Sequence, residues 1–428
     1  MRSTWSDVRV TSLEEIAAGV RAGSLDPAEL LEQALARADE TAALNAVVHL
    51  DAEGARKAAA GHDRSGPLAG VPVLVKEIVE VEGLPYRCGS AAMDDVARRD
   101  ADVVRRLRAA GAIIIGLSYS HEFAYGCTGT SNRVGPCRNP HDPARMTGGS
   151  SSGAAVAVAA GVVPLAIGTD TAGSVRIPAA LCGVVGFKPS YGTLSADGVF
   201  PLSQNLDHVG VLTPTVADAA YALAALAGLR LDARATAPRL GVVTNREYLE
   251  ATPEVSAAWS AALDGLAAAG AVLVDVQLPD WADSFRTAAD IQGPEAVANH
   301  AGRSTEHYQP DVRQRLREAA QVSPEEYDAA RTRATAITAE LNDLFASVDA
   351  VLMPTVLTTA PLITAADTED SALAVRAQLL RNTRLANLTR HPAVSLPIPA
   401  DGLPVGLQVI AASNDKAAAV AGWIEGQR

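Results

Sequence analysis

The stretch SSGAAVAVAAG at residues 151–161, followed by VVPLAIGTD at 162–170, constrains the fold most tightly. The first part is a helix-length run of Gly, Ala, Val and Ser with no charged residue on any side. A helix without a polar face has nothing to present to water and belongs inside a protein, and its narrow side chains let neighbouring elements approach closely. The second part reads as a short apolar strand, buried on both faces.

The surrounding chain alternates helix and strand in the same way. TSLEEIAAGVRAG carries a capping box, Ser12 with Glu15, apolar positions Leu13, Ile16 and Val20 at helical spacing, and Gly23 as a stop. DPAELLEQALARA starts a second helix with Asp26 as N-cap and Pro27 in the first turn. GVPVLVKEIVEV predicts a buried strand, and ADVVRRLRAAGAIIIGLS predicts a helix, a stop at Gly111 and a strand. Beyond residue 230, RLGVV and AVLVDVQLP read as strands around a helix at 254–270, and a helix from PEEYDAARTRATAITAELNDLF precedes the strand VDAVLMPT. Alternation of this kind predicts an α/β fold. No Gly/Ser linker, charge block or repeat divides the 428 residues, which predicts one domain over 1–428.

Composition excludes several function classes. With 48% hydrophobic and 20% charged residues, the chain can build a large core. Lys plus Arg total 36 against 49 Asp plus Glu, and the net charge of −13 disfavours nucleic acid and anionic membranes as partners. The N-terminus lacks the basic and apolar regions of a secretory signal, so the expected location is cytoplasmic. Cys88, Cys127, Cys137 and Cys182 form no CxxC pair, and the eight histidines make no HExxH pattern, so neither a metal nor a cofactor is expected.

The serine run allows several chemistries. Gly149 to Gly153 satisfies G-x-S-x-G and would make Ser151 a nucleophile, but such an elbow needs a strand leading into the serine, and RNPHDPARMT is a proline-punctuated loop. A phosphate loop would need the lysine of G-x-x-x-x-G-K-[ST], which is absent. A second serine, Ser174, sits in the small-residue turn GTDTAGSVRIP, where successive backbone N–H groups can converge on a developing oxyanion. No histidine lies in either motif. Lys76 follows the apolar run Val71–Val75, where desolvation favours the neutral amine that accepts a proton; the competing reading makes it a surface lysine paired with Glu77.

Taken together, PLAGVPVLVKEIVEVEGLP, the run from GGSSSGAAVAVAAG to GTDTAGSVRIPAALCGVVGFKPSYG, and HPAVSLPIPADGLPVGLQVI resemble three ordered motifs of the amidase signature family. The resemblance covers nearly the whole chain, with a signature core at about 65–215 and a substrate-shaping region at about 281–385. It implies a large mixed β-sheet covered by helices on both faces. It also implies a Ser-cisSer-Lys triad in which Ser174 is the nucleophile, Ser150, after a cis Gly149–Ser150 bond, relays its proton, and Lys76 is the base. Backbone N–H groups of Thr171, Ala172, Gly173 and Ser174 would form the oxyanion hole, Ala172 standing where the commonest family pattern has a glycine. Asp170 and Arg176 would hold the turn, Ser151 would support the site, and Tyr125, Cys127 and Thr128 would line the substrate pocket.

The expected activity is hydrolysis of a small or medium carboxylic amide to a carboxylate and ammonia or an amine, through an acyl-Ser174 intermediate. The partners expected are that amide and a second copy of the chain in a homodimer. Two alternatives stand beside this reading: the glutaminase subunit of a tRNA-dependent amidotransferase, and a catalytically silent binding protein with the same fold.

Overall fold

The computed structural model describes residues 12–232, 236–366 and 368–427. The local signals act as the sequence predicts. Ser12 and Glu15 cap each other's backbone at the start of helix Leu13–Ala22, and Gly23 ends it with φ 76°. Asp26 accepts from Ala28 N at the head of helix Pro27–Glu40. Helix Asp102–Ala109, a left-handed Gly111 and strand Ile113–Ser118 follow in the expected order. The small-residue helix is Ser152–Ala159, buried at every position except Ala159, and strand Leu165–Asp170 is buried throughout.

Eleven strands form one sheet. In spatial order they are Val47–Leu50, Ile113–Ser118, Pro72–Lys76, Leu165–Asp170, His208–Thr213, Val185–Lys188, Ala393–Ile398, Val405–Ala411, Ala350–Pro354, Arg239–Val243 and Val272–Val276. Three strands at one side, Ile113–Ser118, Pro72–Lys76 and Leu165–Asp170, run parallel, as do Ala350–Pro354, Arg239–Val243 and Val272–Val276 at the other; the pairs between them are antiparallel. The fold is therefore α/β with a mixed sheet.

Helices cover both faces because the strands are apolar on both. Val73 and Val75 enter one core with Leu223 and Val420, from helices Val216–Ala227 and Asn414–Glu425. Leu74, pointing the other way, enters a second core with Val156 of the small-residue helix and Leu31 of helix Pro27–Glu40. Packing around Ser152–Ala159 leaves no room for larger groups: a Cβ on Gly153 would lie 2.1 Å from the Ala46 carbonyl oxygen and 2.3 Å from Tyr119 N.

This topology places the site. Strands Pro72–Lys76 and Leu165–Asp170 are parallel neighbours, so their carboxyl ends emerge together and bring Lys76 beside Thr169 and Asp170. Open α/β sheets bind ligands outside such ends. Helices of the 281–385 region lie over this edge: Trp281–Asn299 packs against Pro310–Ala319, Pro324–Leu344 and Arg384–Leu388. Among the described residues, no helix is long and apolar enough to cross a membrane.

Candidate active site

Lys76 is fully buried where its strand ends. Its Nζ donates to Ser150 Oγ at 2.7 Å and to Thr169 Oγ1 at 2.8 Å. The nearby carboxylates are committed elsewhere. Glu77 Oε1 accepts from Ser120 N at 3.1 Å and Asn132 Nδ2 at 2.7 Å, Asp207 accepts the Thr171 hydroxyl at 2.6 Å, and Asp170 pairs with Arg176. Burial therefore outweighs the attraction of Asp170, Asp207 and Glu77, and lowers the Lys76 ammonium from 10.5 to about 7. The surface ion pair with Glu77 is not formed; both side chains are buried and Glu77 holds the 120–132 loop instead.

The serine run enters the small-residue helix through a cis Gly149–Ser150 peptide. Ser150 is anchored by its carbonyl, which accepts His121 N at 3.0 Å, while its hydroxyl faces Lys76. Ser151 turns to the backbone: its Oγ accepts Thr169 N at 3.1 Å and donates to Thr169 O at 3.1 Å, and its own N–H donates to Ser174 O at 3.1 Å. Ser151 thus laces the helix start to the strand end and to the Ser174 turn. No strand leads into it, which removes the context an elbow nucleophile needs.

Ser174, only 6% exposed, opens onto a narrow recess of about 20 Å³. Among the described residues its hydroxyl makes no hydrogen bond, so the Lys76–Ser150 contact is formed and the Ser150–Ser174 contact is not. The N–H groups of Thr171, Ala172 and Ser174 are likewise uncommitted among the described residues. Gly173 differs from the sequence expectation. Its N–H donates to Asp170 Oδ1 at 2.8 Å, because the buried carboxylate collects the donors of its own turn, and so it is not free for an oxyanion.

Asp170 and Arg176 form the framework of that turn, as expected. Both are fully buried, with Arg176 Nη2 2.8 Å from Asp170 Oδ1 and Nε 3.0 Å from Oδ2. Burial pushes the Asp170 carboxyl up, but the Arg176 guanidinium and hydrogen bonds outweigh it and hold the group well below the usual range. Thr383 and Asn387, outside the quoted motifs, and Gln408, inside the closing motif but given no role there, complete the cage. Arg176 also donates to Thr383 O at 2.8 Å, Gln408 Oε1 at 2.6 Å and Asn387 Oδ1 at 2.6 Å, and Thr383 Oγ1 donates to Ala172 O at 2.6 Å.

The recess beside Ser174 is lined by Tyr125 and Cys127 but not by Thr128, whose hydroxyl pairs with that of Thr130 at 2.8 Å. Arg315 orients this loop by donating to the Tyr125 carbonyl while paired with Asp311 at 2.8 Å. The remaining lining includes Leu202 and, from the 281–385 region, Gln292, Leu380, Arg376 and Arg384. The signal that could have drawn attention to the last two is the run of three arginines, Arg376, Arg381 and Arg384, within nine residues of a segment otherwise rich in Leu and Asn.

Comparison with known proteins bears on this arrangement. The sequence model of a family described as Amidase matches residues 29–418. A 2-amino-5-chloromuconic acid deaminase of Comamonas testosteroni is 37% identical over 423 residues, covering 93% of this chain and 92% of that protein. A glutamyl-tRNA(Gln) amidotransferase subunit of Deinococcus radiodurans is 41% identical over 310 residues, 67% of this chain and 64% of that protein. A crystal structure of an amidase superposes with a TM-score of 0.89 at 35% identity, covering 97% of this chain and 99% of that one. The chain therefore belongs to the amidase family, whose members are hydrolases acting on amide C–N bonds.

Proposed function

We propose that the chain hydrolyses a small carboxylic amide through an acyl-enzyme on Ser174, with Ser150 and Lys76 moving the proton. The observation that carries this reading is the buried Lys76, without an ion pair among the described residues and with its Nζ 2.7 Å from Ser150 Oγ. With its pKa near 7 the amine is neutral in a large fraction of molecules at physiological pH and can accept the Ser150 proton, which lets Ser150 accept that of Ser174. Binding of substrate would bring the two serine hydroxyls into contact, since catalytic hydrogen bonds commonly tighten only in the substrate complex.

Ser174 Oγ then bonds to the amide carbon, and the carbonyl electron pair moves to oxygen, where the N–H groups of Thr171, Ala172 and Ser174 stand uncommitted. Collapse breaks the C–N bond, and the leaving nitrogen takes the proton returned from Lys76 through Ser150. Water repeats the sequence on the ester, releasing the carboxylate and restoring Ser174. The deaminase name of one relative is consistent with release of ammonia. Asp170, Arg176 and Ser151 act by holding the turn, not by touching the reacting atoms.

Labelling with a fluorophosphonate, followed by peptide mass spectrometry, tests the assignment. The adduct is expected on the peptide containing Ser174, and Ser174→Ala is expected to abolish both labelling and ammonia release over a panel of amides; an adduct on Ser151 would sink it. A second reading is favoured by the similarity to the Deinococcus radiodurans amidotransferase component: a glutaminase that passes ammonia to partner subunits. Strict dependence on glutamine, together with co-purifying subunits, would select it. Absence of both turnover and labelling would favour a silent binding protein.

A further inference from the structure

Arg376 and Arg384 flank the turn between helices Glu369–Leu380 and Arg384–Leu388, and both line the recess onto which Ser174 opens. Neither has a carboxylate partner among the described residues. Arg384 is 6% exposed; its Nη1 donates to Phe285 O at 3.2 Å, its guanidinium lies 4.1 Å from the Phe285 ring centroid, and its Nε is buried without an acceptor. Arg376 makes no hydrogen bond or ion pair among the described residues. In the same recess Gln292 leaves its Oε1 buried without a donor.

Among the described residues, the acidic groups that approach this place are engaged elsewhere. Asp311 pairs with Arg315 at 2.8 Å and His121 at 3.1 Å, Asp290 with Arg286 at 3.3 Å, and Glu318 accepts from Gln314 at 3.0 Å. Burial, followed by the positive charge of Arg376, lowers the Arg384 guanidinium to about 10. Two neighbouring guanidiniums, one of them buried, are unfavourable without an anion, and the planar guanidinium fork matches a carboxylate.

We propose that the substrate is a small amide carrying a carboxylate, which Arg376 and Arg384 receive while its amide carbon meets Ser174. This rests on the hydrolytic reading of Ser174 given above. The reaction converts a half-amide anion and water into a dicarboxylate and ammonium: the C–N bond breaks, a C–O bond forms, and no electron transfer is involved. Selection falls on the distal charge, and chain length is limited by the distance from the arginines to Ser174.

The test pairs each half-amide acid with the neutral primary amide of equal carbon number: succinamic acid with butanamide, glutaramic acid with pentanamide, adipamic acid with hexanamide. In wild type, kcat/KM is expected to favour the acid about 100-fold in at least one pair. In Arg376→Gln that ratio is expected to shrink about 10- to 100-fold, the range for a charge-assisted hydrogen bond; Arg384→Lys supplies a second variant that keeps the buried charge. Calorimetric titration of Ser174→Ala protein with succinate, glutarate, adipate and inorganic phosphate reads binding without turnover, and dicarboxylate affinity is expected to fall at least 10-fold when Arg376→Gln is added. Equal rates within every pair, a preference that survives both arginine variants, or binding of phosphate with none of the dicarboxylates overturns the proposal. If no amide of either series is hydrolysed while dicarboxylate binding still depends on Arg376, the hydrolytic reading fails and the anion site stands.

Discussion

In the proposed mechanism Lys76 works as a neutral amine, and burying it imposes a cost on the fold that can be measured. In the unfolded chain Lys76 titrates near its ordinary 10.5, and in the folded protein near 7, because burial disfavours the ammonium. Between these pH values the folded state holds fewer protons than the unfolded one, so this group's contribution to stability rises with pH across the interval; below pH 7 the penalty is present in full. Lys76→Met removes the penalty along with two hydrogen bonds, and is expected to be inactive yet more stable than wild type by on the order of 2 kcal/mol at pH 7. The difference in Tm should narrow as pH is raised towards 10; a constant difference would mean that the lysine is not the titrating group. The same proton gives the activity its pH dependence: kcat/KM is expected to rise from acid to a plateau above about pH 7, the position set by Lys76. Lys76, Ser150 and Ser174 are legible in the sequence because each lies in a contiguous motif whose residues are neighbours in space. The donor role of Gly173 is not, because a sequence places the N–H in the turn but does not show that Asp170 takes it. Thr128 misleads in a similar way, its hydroxyl turning to Thr130.

At the scale of elements, the same substitution has opposite signs in two helices. Gly153→Ala in helix Ser152–Ala159 would press a methyl against the backbone of Ala46 and Tyr119, at 2.1 and 2.3 Å, where neither neighbour can rotate away. It is expected to cost about 3 kcal/mol or more, seen as a large fall in Tm or loss of soluble protein. Gly265→Ala in helix Pro253–Ala268 meets nothing within 4 Å and is expected to add up to about 1 kcal/mol. The contrast is half visible in the sequence. A charge-free run of small residues announces a buried helix, and Ser12, Gly23, Asp26 and Gly111 announce their helix ends by chemistry confined to a few neighbours. Helix Trp281–Asn299 escapes such reading, because Pro294 and Gly293 interrupt its pattern; tertiary packing against three other helices sustains it.

Over the whole molecule, Arg176 joins the Ser174 turn to residues far along the chain: Thr383, Asn387 and Gln408. Gln408 stands in the closing motif but its role does not show there, since it depends on strand Val405–Ala411 pairing with Ala393–Ile398, and Thr383 and Asn387, at the head of and within helix Arg384–Leu388, lie outside every motif. Arg176→Ala leaves Asp170 buried and unpaired and is expected to destabilise by about 3–5 kcal/mol, measured by denaturant unfolding. Gln408→Ala, which removes one acceptor, is a test of positioning: kcat is expected to fall about 10-fold with KM little changed, and an equal rise in KM instead would assign Gln408 to substrate binding.

The reach of that one guanidinium also sets how late in synthesis the Ser174 turn can be fully held. Gln408 is 232 residues beyond Arg176, which at about 5–20 residues per second takes a ribosome roughly 10–50 s to add. During that interval Ser174 has already been made but Arg176 still lacks some or all of the acceptors at Thr383, Asn387 and Gln408, so the Ser174 turn is expected to be incompletely held until they are added.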